Sequence, residues 1–544
     1  MISRGENTVK AFATALAIAL TLVLGACSDD NDINTPDNGG SSASRTAIIE
    51  TGSGPVQGKI SQGVSQFLGI PFAAPPVGNL RWRPPVSPQP WQDTLNTVAY
   101  GDTCAQTNTL GVFAAPSASE DCLYVNIFAR TDINPGAKLP VMIWIYGGAL
   151  FDGESDDYDG SKLVKQGNVL VVTFNYRLNV FGFISHPALD DEGHAFSNYG
   201  FMDQQFVFQW VRDNITAFGG DPENVTIFGE SACGRSVLAH LVSPPASGLF
   251  QRAIMESGAG LPTVSLDTAE AAGVDFATQV GCQSNDPIQT TECLRSLSVE
   301  EIQSMAPSYQ SRQILTIDGT ILTQPLDSAL AAGDFNQVPI IAGTNKDENT
   351  LFVGLSELTS GSALTADGYT DQINSSYGNN AAAVLAQYPL SDYDAPALAY
   401  SAVTTDSGYV CPALRADRLF AAFVPVYAYE FTDRTAPAFA PAVSFPYGAY
   451  HTSEIQYLFP LYHGAQGTPN ELNDAQQALS DDMVSYWTRF ADTGDPNTSS
   501  TPEWPAYTGD NPKYQSLELP EPVTGDFQDL DSAHHCDLWD GIAE

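Results

Sequence analysis

Apolar residues alternate along this chain between two patterns. Short, nearly unbroken apolar runs end in glycine or small polar residues, and between them lie stretches with apolar residues at helical spacing. LPVMIWIYGG (139–148), NVLVVTFNYR (168–177) and NVTIFGES (224–231) are runs of the first kind. Strands buried on both faces read this way, so each predicts a parallel strand entering a loop. FQRAIMESG (250–258) and VPIIAGTNKDE (338–348) repeat the strand-to-loop unit. YGFMDQQFVFQWVRDNITAF (199–218) carries Phe201, Met202, Phe206, Phe208 and Val211 at helical spacing, and ACGRSVLAHLV (232–242) follows a strand directly. Both predict helices. AIIETGSGPVQGKI (47–60), two β-rich runs separated by Gly and Pro, predicts a hairpin. The alternation argues for an α/β doubly wound sheet. At roughly 150 residues per domain the length would allow about three or four. No internal repeat and no second linker interrupts the pattern, so one large domain with long insertions, residues 45–544, is expected.

Composition narrows the partners. Hydrophobic residues make up 43% of the 544 positions, enough for a large core and too many for a disordered chain. Lys and Arg number 22 against 63 Asp and Glu, a net charge of −41. Such a surface repels nucleic acid and anionic lipid. The acids are scattered over the whole chain, which reads as a solvating surface rather than as attraction for cationic substrates.

The N-terminus reads as a targeting segment. Arg4 and Lys10 precede the apolar run Ala11–Leu24, which is shorter than the about 20 residues a bilayer span needs. Leu24-Gly25-Ala26-Cys27 resembles a bacterial lipobox, implying removal of residues 1–26 and lipidation of Cys27; an ordinary signal peptide that contains a Cys is the alternative. Residues 28–44, SDDNDINTPDNGGSSAS, read as a flexible acidic tether. The expectation is an exported, lipid-anchored protein, at the outer membrane on its periplasmic face or at the cell surface, with secretion as the fallback. Membrane contact would run through the lipid alone, and a monomer is assumed.

The candidate chemistry starts at GESACGRSV (229–237). A nucleophile elbow follows Gly-x-Ser-x-Gly, with the Ser on a strained strand-to-helix turn. Gly229, Glu230, Ser231 and Ala232 fit, and the fifth position is Cys233. Residues two before and two after the Ser are expected to be small, because strand and helix backbones approach closely there. Cys233 should point into the helix–sheet packing as a small apolar group and lacks the exposed electropositive setting of a reactive thiolate.

The surroundings strengthen the motif. NYGFMDQQFVFQWVRDNITAFGGDPENVTIFGESA (198–232) resembles the type-B carboxylesterase/cholinesterase family, as do FLGIPFAAPPVGNLRWRPP (67–85), EDCLYVNIF (120–128), WIYGG (144–148), NYRLNVFGF (175–183), FQRAIMESG (250–258) and GTNKDE (343–348). The resemblance spans about residues 46 to 540. It implies an α/β-hydrolase fold, a large central mostly parallel twisted sheet flanked by helices, with long insertions forming an active-site gorge. It also implies a Ser-acid-His triad in that chain order. His186, His194 and His240 do not fit the order, which leaves His451, His463, His534 and His535. YGAYHTSEIQYLF (447–459) resembles the family's catalytic His segment, so the base is expected at His451. Spacing cannot separate Asp347 from Glu348; the family motif implies Glu348. The resemblance further implies oxyanion donors at Gly148, Ala149 and Ala232, with Gly147 a turn requirement. Many relatives have Gly where this chain has Ala149. Glu230 and Glu454 match acidic positions near the family's site and would form a supporting network through Ser257.

The implied reaction is hydrolysis of a small-molecule carboxylic ester through an acyl-enzyme on Ser231, with no metal and no cofactor. His534-His535-Cys536 is compact but lacks further nearby ligands. The resemblance pairs Cys104 with Cys122, Cys282 with Cys293 and Cys411 with Cys536, leaving Cys233 as the odd thiol. The loop between Cys104 and Cys122 has no Trp and a single aromatic, Phe113, where cholinesterases carry a cation-binding Trp. A general carboxylesterase acting on short- to medium-chain acyl esters is therefore expected. The alternative is a catalytically weak or inactive cholinesterase-like binding or adhesion protein, for which Cys233 is the one favourable feature. A Cys hydrolase fails on geometry.

Overall fold

The computed structural model describes residues 44–108, 113–132, 136–258, 263–310, 315–462, 464 and 469–543. The leader, Cys27, the tether as far as residue 43 and His463 lie outside them. The described residues carry a 13-stranded sheet. In space it runs from the hairpin Arg45–Thr51 and Gly54–Ser61 through Val64–Pro71, Tyr124–Arg130, Leu170–Phe174, Leu139–Ile145, Gly220–Glu230, Arg252–Glu256, Ile340–Asn345, Val426–Phe431 and Lys513–Leu517 to Val523–Asp526. The short strand Leu95–Asn96 pairs off this path. From Leu170–Phe174 to Lys513–Leu517 every neighbour is parallel. Both flanks are antiparallel.

The apolar runs become the interior strands for the reason their patterning gives. Val141, Met142, Ile143, Trp144 and Ile145 are all fully buried, as are Leu170, Val171 and Val172, because helices cover both faces. Trp144 packs against Phe228 and Phe459 with ring centroids 4.8 and 4.9 Å away. The strand order reverses at Leu139–Ile145, whose neighbours are the later strands Leu170–Phe174 and Gly220–Glu230 on opposite sides. Open α/β sheets bind ligands at the carboxyl ends of the strands at such a reversal.

Two devices fix the carboxyl side of the sheet. The helix Asp474–Thr493 starts with a capping box between Asn473 and Gln476 and ends at Gly494 in the left-handed region. Its Trp487 indole N–H donates to Glu256 Oε1 at 2.7 Å. The C-terminal segment is tied by Cys411–Cys536 and by His534. The two nitrogens of His534 meet Asp406 Oδ1 and Glu430 Oε1, each at 2.6 Å. Two carboxylates facing both ring nitrogens require two N–H donors, an imidazolium.

Burial opposes that charge, but the hydrogen bonds and negative charges of Asp406 and Glu430 outweigh it and lift the His534 pKa to about 10. A raised folded-state pKa contributes stability that is full below the ordinary histidine value of about 6.5 and fades as pH rises through the folded value. The urea midpoint of the full chain is therefore expected to fall between pH 7 and 10, and to fall less in His534→Gln. Parallel losses in both proteins would rule out this role for His534.

Candidate active site

One residue separates the strand Gly220–Glu230 from the helix Ala232–Leu241, and it is Ser231. To turn the chain that sharply it adopts φ 60°, ψ −126°, a conformation costing about 1–3 kcal/mol for a residue with a Cβ. Its N–H is held by Glu256 O at 2.9 Å. The helix is thereby pressed against the strand ends. A Cβ on Gly229 would lie 2.7 Å from Ile145 O and 2.9 Å from Cys233 O. On Gly234 it would lie 2.5 Å from Glu256 O and 2.7 Å from Gly258 Cα.

The helix backbone thus approaches the strand ends at both Cys233 and Gly234. The Cys233 side chain leaves the contact and is fully buried, with Sγ 3.0 Å from Tyr176 Oη and 3.6 Å from Ser236 Oγ. Burial pushes its thiol up to about 12.

The loop after Leu139–Ile145 packs on the elbow. A Cβ on Gly147 would lie 2.8 Å from Glu230 Oε2 and 3.2 Å from Ser231 Cβ. Gly147 is therefore required for close approach, not as the turn residue that the sequence suggested. The turn belongs to Gly148, at φ 104°, where a Cβ would lie 1.9 Å from Asp152 O. Ala149 and Leu150 follow with φ 57° and 63°. The N–H groups of Gly148 and Ala149 have no backbone acceptor among the described residues. That of Ala232 opens a helix and has no intrahelical acceptor. Donors of this kind beside a serine suit a developing oxyanion.

The residues expected as base and acid come from the chain beyond the ends of two further parallel strands. Glu348 follows Ile340–Asn345, and His451 lies in the chain after Val426–Phe431. His451 Nδ1 is 2.5 Å from Glu348 Oε2, and both residues are fully buried. Glu348 Oε1 accepts the Asn345 N–H at 2.8 Å, and Glu348 O accepts the His451 N–H at 3.1 Å. Asp347 turns the other way, to Arg434 at 2.6 and 2.8 Å. Geometry thus separates the two acids that spacing left open. His451 Nε2 is buried, 3.1 Å from Glu230 Oε1, and makes no hydrogen bond here. Catalytic hydrogen bonds of this kind often close only around substrate.

The other described histidines are engaged elsewhere. His186 caps a short helix, His194 pairs with Glu192, and His535 meets Gln387. His240 bonds Gln204 and is driven down to about 3 by burial. Among the described residues no three His, Cys, Asp or Glu side chains form a metal-binding group. His534 and Cys536 are already committed to an ion pair and a disulfide.

Four carboxyls crowd this floor. Burial, then the charges of Glu454, Glu348 and Glu256, raise Glu230 well above the usual range. Burial, then Glu348 and Glu256, do the same to Glu454. Glu256 rises to about 7 through burial, moderated by the Trp487 N–H. The expected link through Ser257 is corrected, since its Oγ is buried without a hydrogen-bond partner. The network runs through Asn345, whose Nδ2 donates to Tyr450 O at 2.9 Å and to Glu454 Oε2. Sequence reasoning passed over Asn345, although it sits three residues before the acid in GTNKDE. It also missed Phe352 and Tyr409, whose rings lie 5.1 Å from that of His451. Both belong to the long insertion between Asn345 and Val426, and Tyr409 sits in a π-helical turn, Asp406–Val410.

Cys104–Cys122, Cys282–Cys293 and Cys411–Cys536 are bridged, and among the described residues Cys233 is the free thiol. A buried thiol with a raised pKa should not react. In Cys27→Ala protein, where Cys233 is the one unbridged cysteine left, no thionitrobenzoate is expected from Ellman's reagent at pH 8 in the native state, and about one equivalent after denaturation without reductant. Rapid reaction of the native protein would contradict this placement.

Residues 45–539 match the Carboxylesterase family. Para-nitrobenzyl esterase of Bacillus subtilis (strain 168) is 36% identical over 477 residues, covering 85% of this chain and 92% of that relative. Acylcarnitine hydrolase of Mus musculus is 35% identical over 509 residues, 88% of each chain. The solved structure of a thermophilic PNB esterase superposes with a TM-score of 0.76 at 33% identity, over 90% of this chain and 99% of that one.

Proposed function

From the premise that this chain belongs to the carboxylesterase family and is a carboxylic-ester hydrolase, we propose that Ser231, His451 and Glu348 are its catalytic triad, acting on short- to medium-chain acyl esters. The observation that carries this reading is the 2.5 Å contact between His451 Nδ1 and Glu348 Oε2, beside a serine held at φ 60°. In the first half-reaction Ser231 Oγ attacks the ester carbonyl while His451 Nε2 takes its proton. The N–H groups of Gly148, Ala149 and Ala232 receive the charge that forms on the carbonyl oxygen. His451 returns the proton to the departing alcohol, and an acyl-enzyme remains. Water, deprotonated by His451, then releases the acid and restores Ser231. Glu348 orients the imidazole and balances its transient positive charge. Burial and mutual repulsion raise Glu230 and Glu454, which weakens their competition for that role. The Ala149 methyl, where many relatives have glycine, favours modest acyl groups.

The test uses purified full-length protein on p-nitrophenyl acetate, butyrate and octanoate. Ser231→Ala should lower kcat/KM by roughly a thousandfold or more while the circular dichroism spectrum is retained, and butyrate should exceed octanoate. Cys233→Gly should stay within about threefold of wild type, because Sγ packs on Tyr176 and not on the ester. An inert wild type rescued by Cys233→Gly would move the binding-protein reading ahead.

The leader and tether support a further proposal, a lipid on Cys27 that holds the enzyme to the outer membrane of the cell that exports it. Labelled palmitate should enter the wild-type chain expressed in a bacterial host and be lost in Cys27→Ala. Equal labelling of both would remove the anchor.

A further inference from the structure

Arg235 stands on the elbow helix one turn beyond the nucleophile, its N–H donating to Ser231 O at 3.1 Å. Its guanidinium carbon lies 5.7 Å from the centre of the Tyr409 ring, and that ring lies 5.1 Å from His451. The cation is thus on the wall of the site, partly open to solvent. What distinguishes it is the lack of a partner. In a chain with 63 acidic residues, most described arginines pair with a carboxylate, as Arg177 with Asp203, Arg295 with Glu192 and Arg434 with Asp347, while Arg45 and Arg252 bond amide or backbone oxygens. Arg235 has no carboxylate within 4.0 Å among the described residues, and its buried Nε has no hydrogen-bond partner. The nearest acid along the chain, Glu230, feels the Arg235 charge but is not in ion-pair contact with it and faces His451 instead. A guanidinium kept unpaired beside a nucleophile, in an acidic protein, is free to be matched by a bound group. Its planar fork suits a carboxylate or another oxyanion.

Building on the Ser231 reading, we propose that Arg235 is a specificity-determining residue that selects esters carrying a second, anionic group such as a carboxylate, on the acid or the alcohol part. The wide excess of acidic residues does not forbid this, because contacts inside a partly desolvated site outweigh distant, screened charges. Arg235 takes no proton and makes no bond to the reacting atoms. It holds the far end of the substrate, so its contribution appears in kcat/KM for charged esters alone.

Two matched pairs test the proposal on the full-length protein. 4-Nitrophenyl hydrogen adipate against 4-nitrophenyl hexanoate places the charge on the acid part; carboxymethyl butyrate against propyl butyrate places it on the alcohol. In at least one pair Arg235→Gln should lower kcat/KM for the anionic ester by roughly tenfold to a hundredfold, mostly through KM. Its neutral twin should change by less than about threefold, which also verifies that the variant folds. Arg235→Lys should keep part of the preference, and the pair that responds tells which side of the ester bears the anion. Equal losses on charged and neutral esters would mean that Arg235 only props Tyr409, and the proposal would fall. It would also fall if neither pair changed. Failure of the triad reading looks different, because Ser231→Ala would then retain turnover of the neutral esters.

Discussion

Everything at this site depends on a place where backbone meets backbone with no room for a side chain. Gly147, Gly229, Gly234 and Gly258 converge around Ser231, and a Cβ on any of them would fall within 3 Å of a neighbouring atom. A contact between glycines cannot relax by a change of rotamer, so it fixes the separation of the sheet, the elbow helix and the Gly148–Ala149 loop together. The serine then has one available conformation, φ 60°, and its strain of about 1–3 kcal/mol must be carried by the rest of the fold. Full burial of one large apolar side chain contributes about 1.5–3 kcal/mol. The residues of Leu139–Ile145 alone, fully buried from Val141 onward, outweigh it several times over. A rigid interior strand is thus what allows an unfavourable turn to persist at its end.

The same architecture sets the electrostatics. Parallel strands deliver Glu230, Glu256 and Glu348 to one edge of the sheet, and Glu454 arrives with the His451 segment. Four buried carboxylates in one place would be untenable if all were ionised. The structure resolves this by treating them differently. Glu348 receives the Asn345 N–H and faces the His451 imidazole, whereas burial and mutual repulsion push Glu230 and Glu454 well above the usual carboxylate range. The site can therefore hold several acids while one of them, Glu348, meets the imidazole directly. Asn345 is the hinge of this division, with its backbone on Glu348 and its side chain on Glu454.

The parallel strands were legible because helices cover both faces of the sheet, so the runs at 139–145, 170–174 and 340–345 could be nothing but apolar. The N-terminal hairpin was legible from its turn residues for the same local reason. Ser231, Glu348 and His451 were proposed from the motifs around them, and the structure adds what spacing lacked, since Glu348 faces His451 and Asp347 faces Arg434. The misjudged residues depend on contacts far apart in the chain. Whether Gly147 or Gly148 makes the turn, and that Gly234 as well as Cys233 lies at a backbone contact, follows from where Glu230, Asp152 and Glu256 lie in space. Phe352 and Tyr409 come from an insertion whose helices carry no motif, and a π-helical turn has no periodicity that a sequence reading would register.

The departure at residue 233 therefore carries less weight than its position in the motif suggests. A motif compresses two physical demands into one letter, a small residue near the serine and a backbone that another backbone can touch. Here they separate. Gly234 meets the second demand, with Glu256 O only 2.5 Å from where its Cβ would be. Residue 233 has only to send its side chain away from the strand, and a thiol finds Tyr176 Oη at 3.0 Å in a fully buried setting. A larger or branched residue would have to push that ring aside, at a cost of about 1–3 kcal/mol, and the ring's own hydroxyl is anchored to Tyr146 O at 2.9 Å, at the base of the Gly147–Ala149 loop. Tolerance at 233 is thus bounded by the Gly147–Ala149 loop rather than by Ser231, because Tyr176 connects residue 233 to that loop.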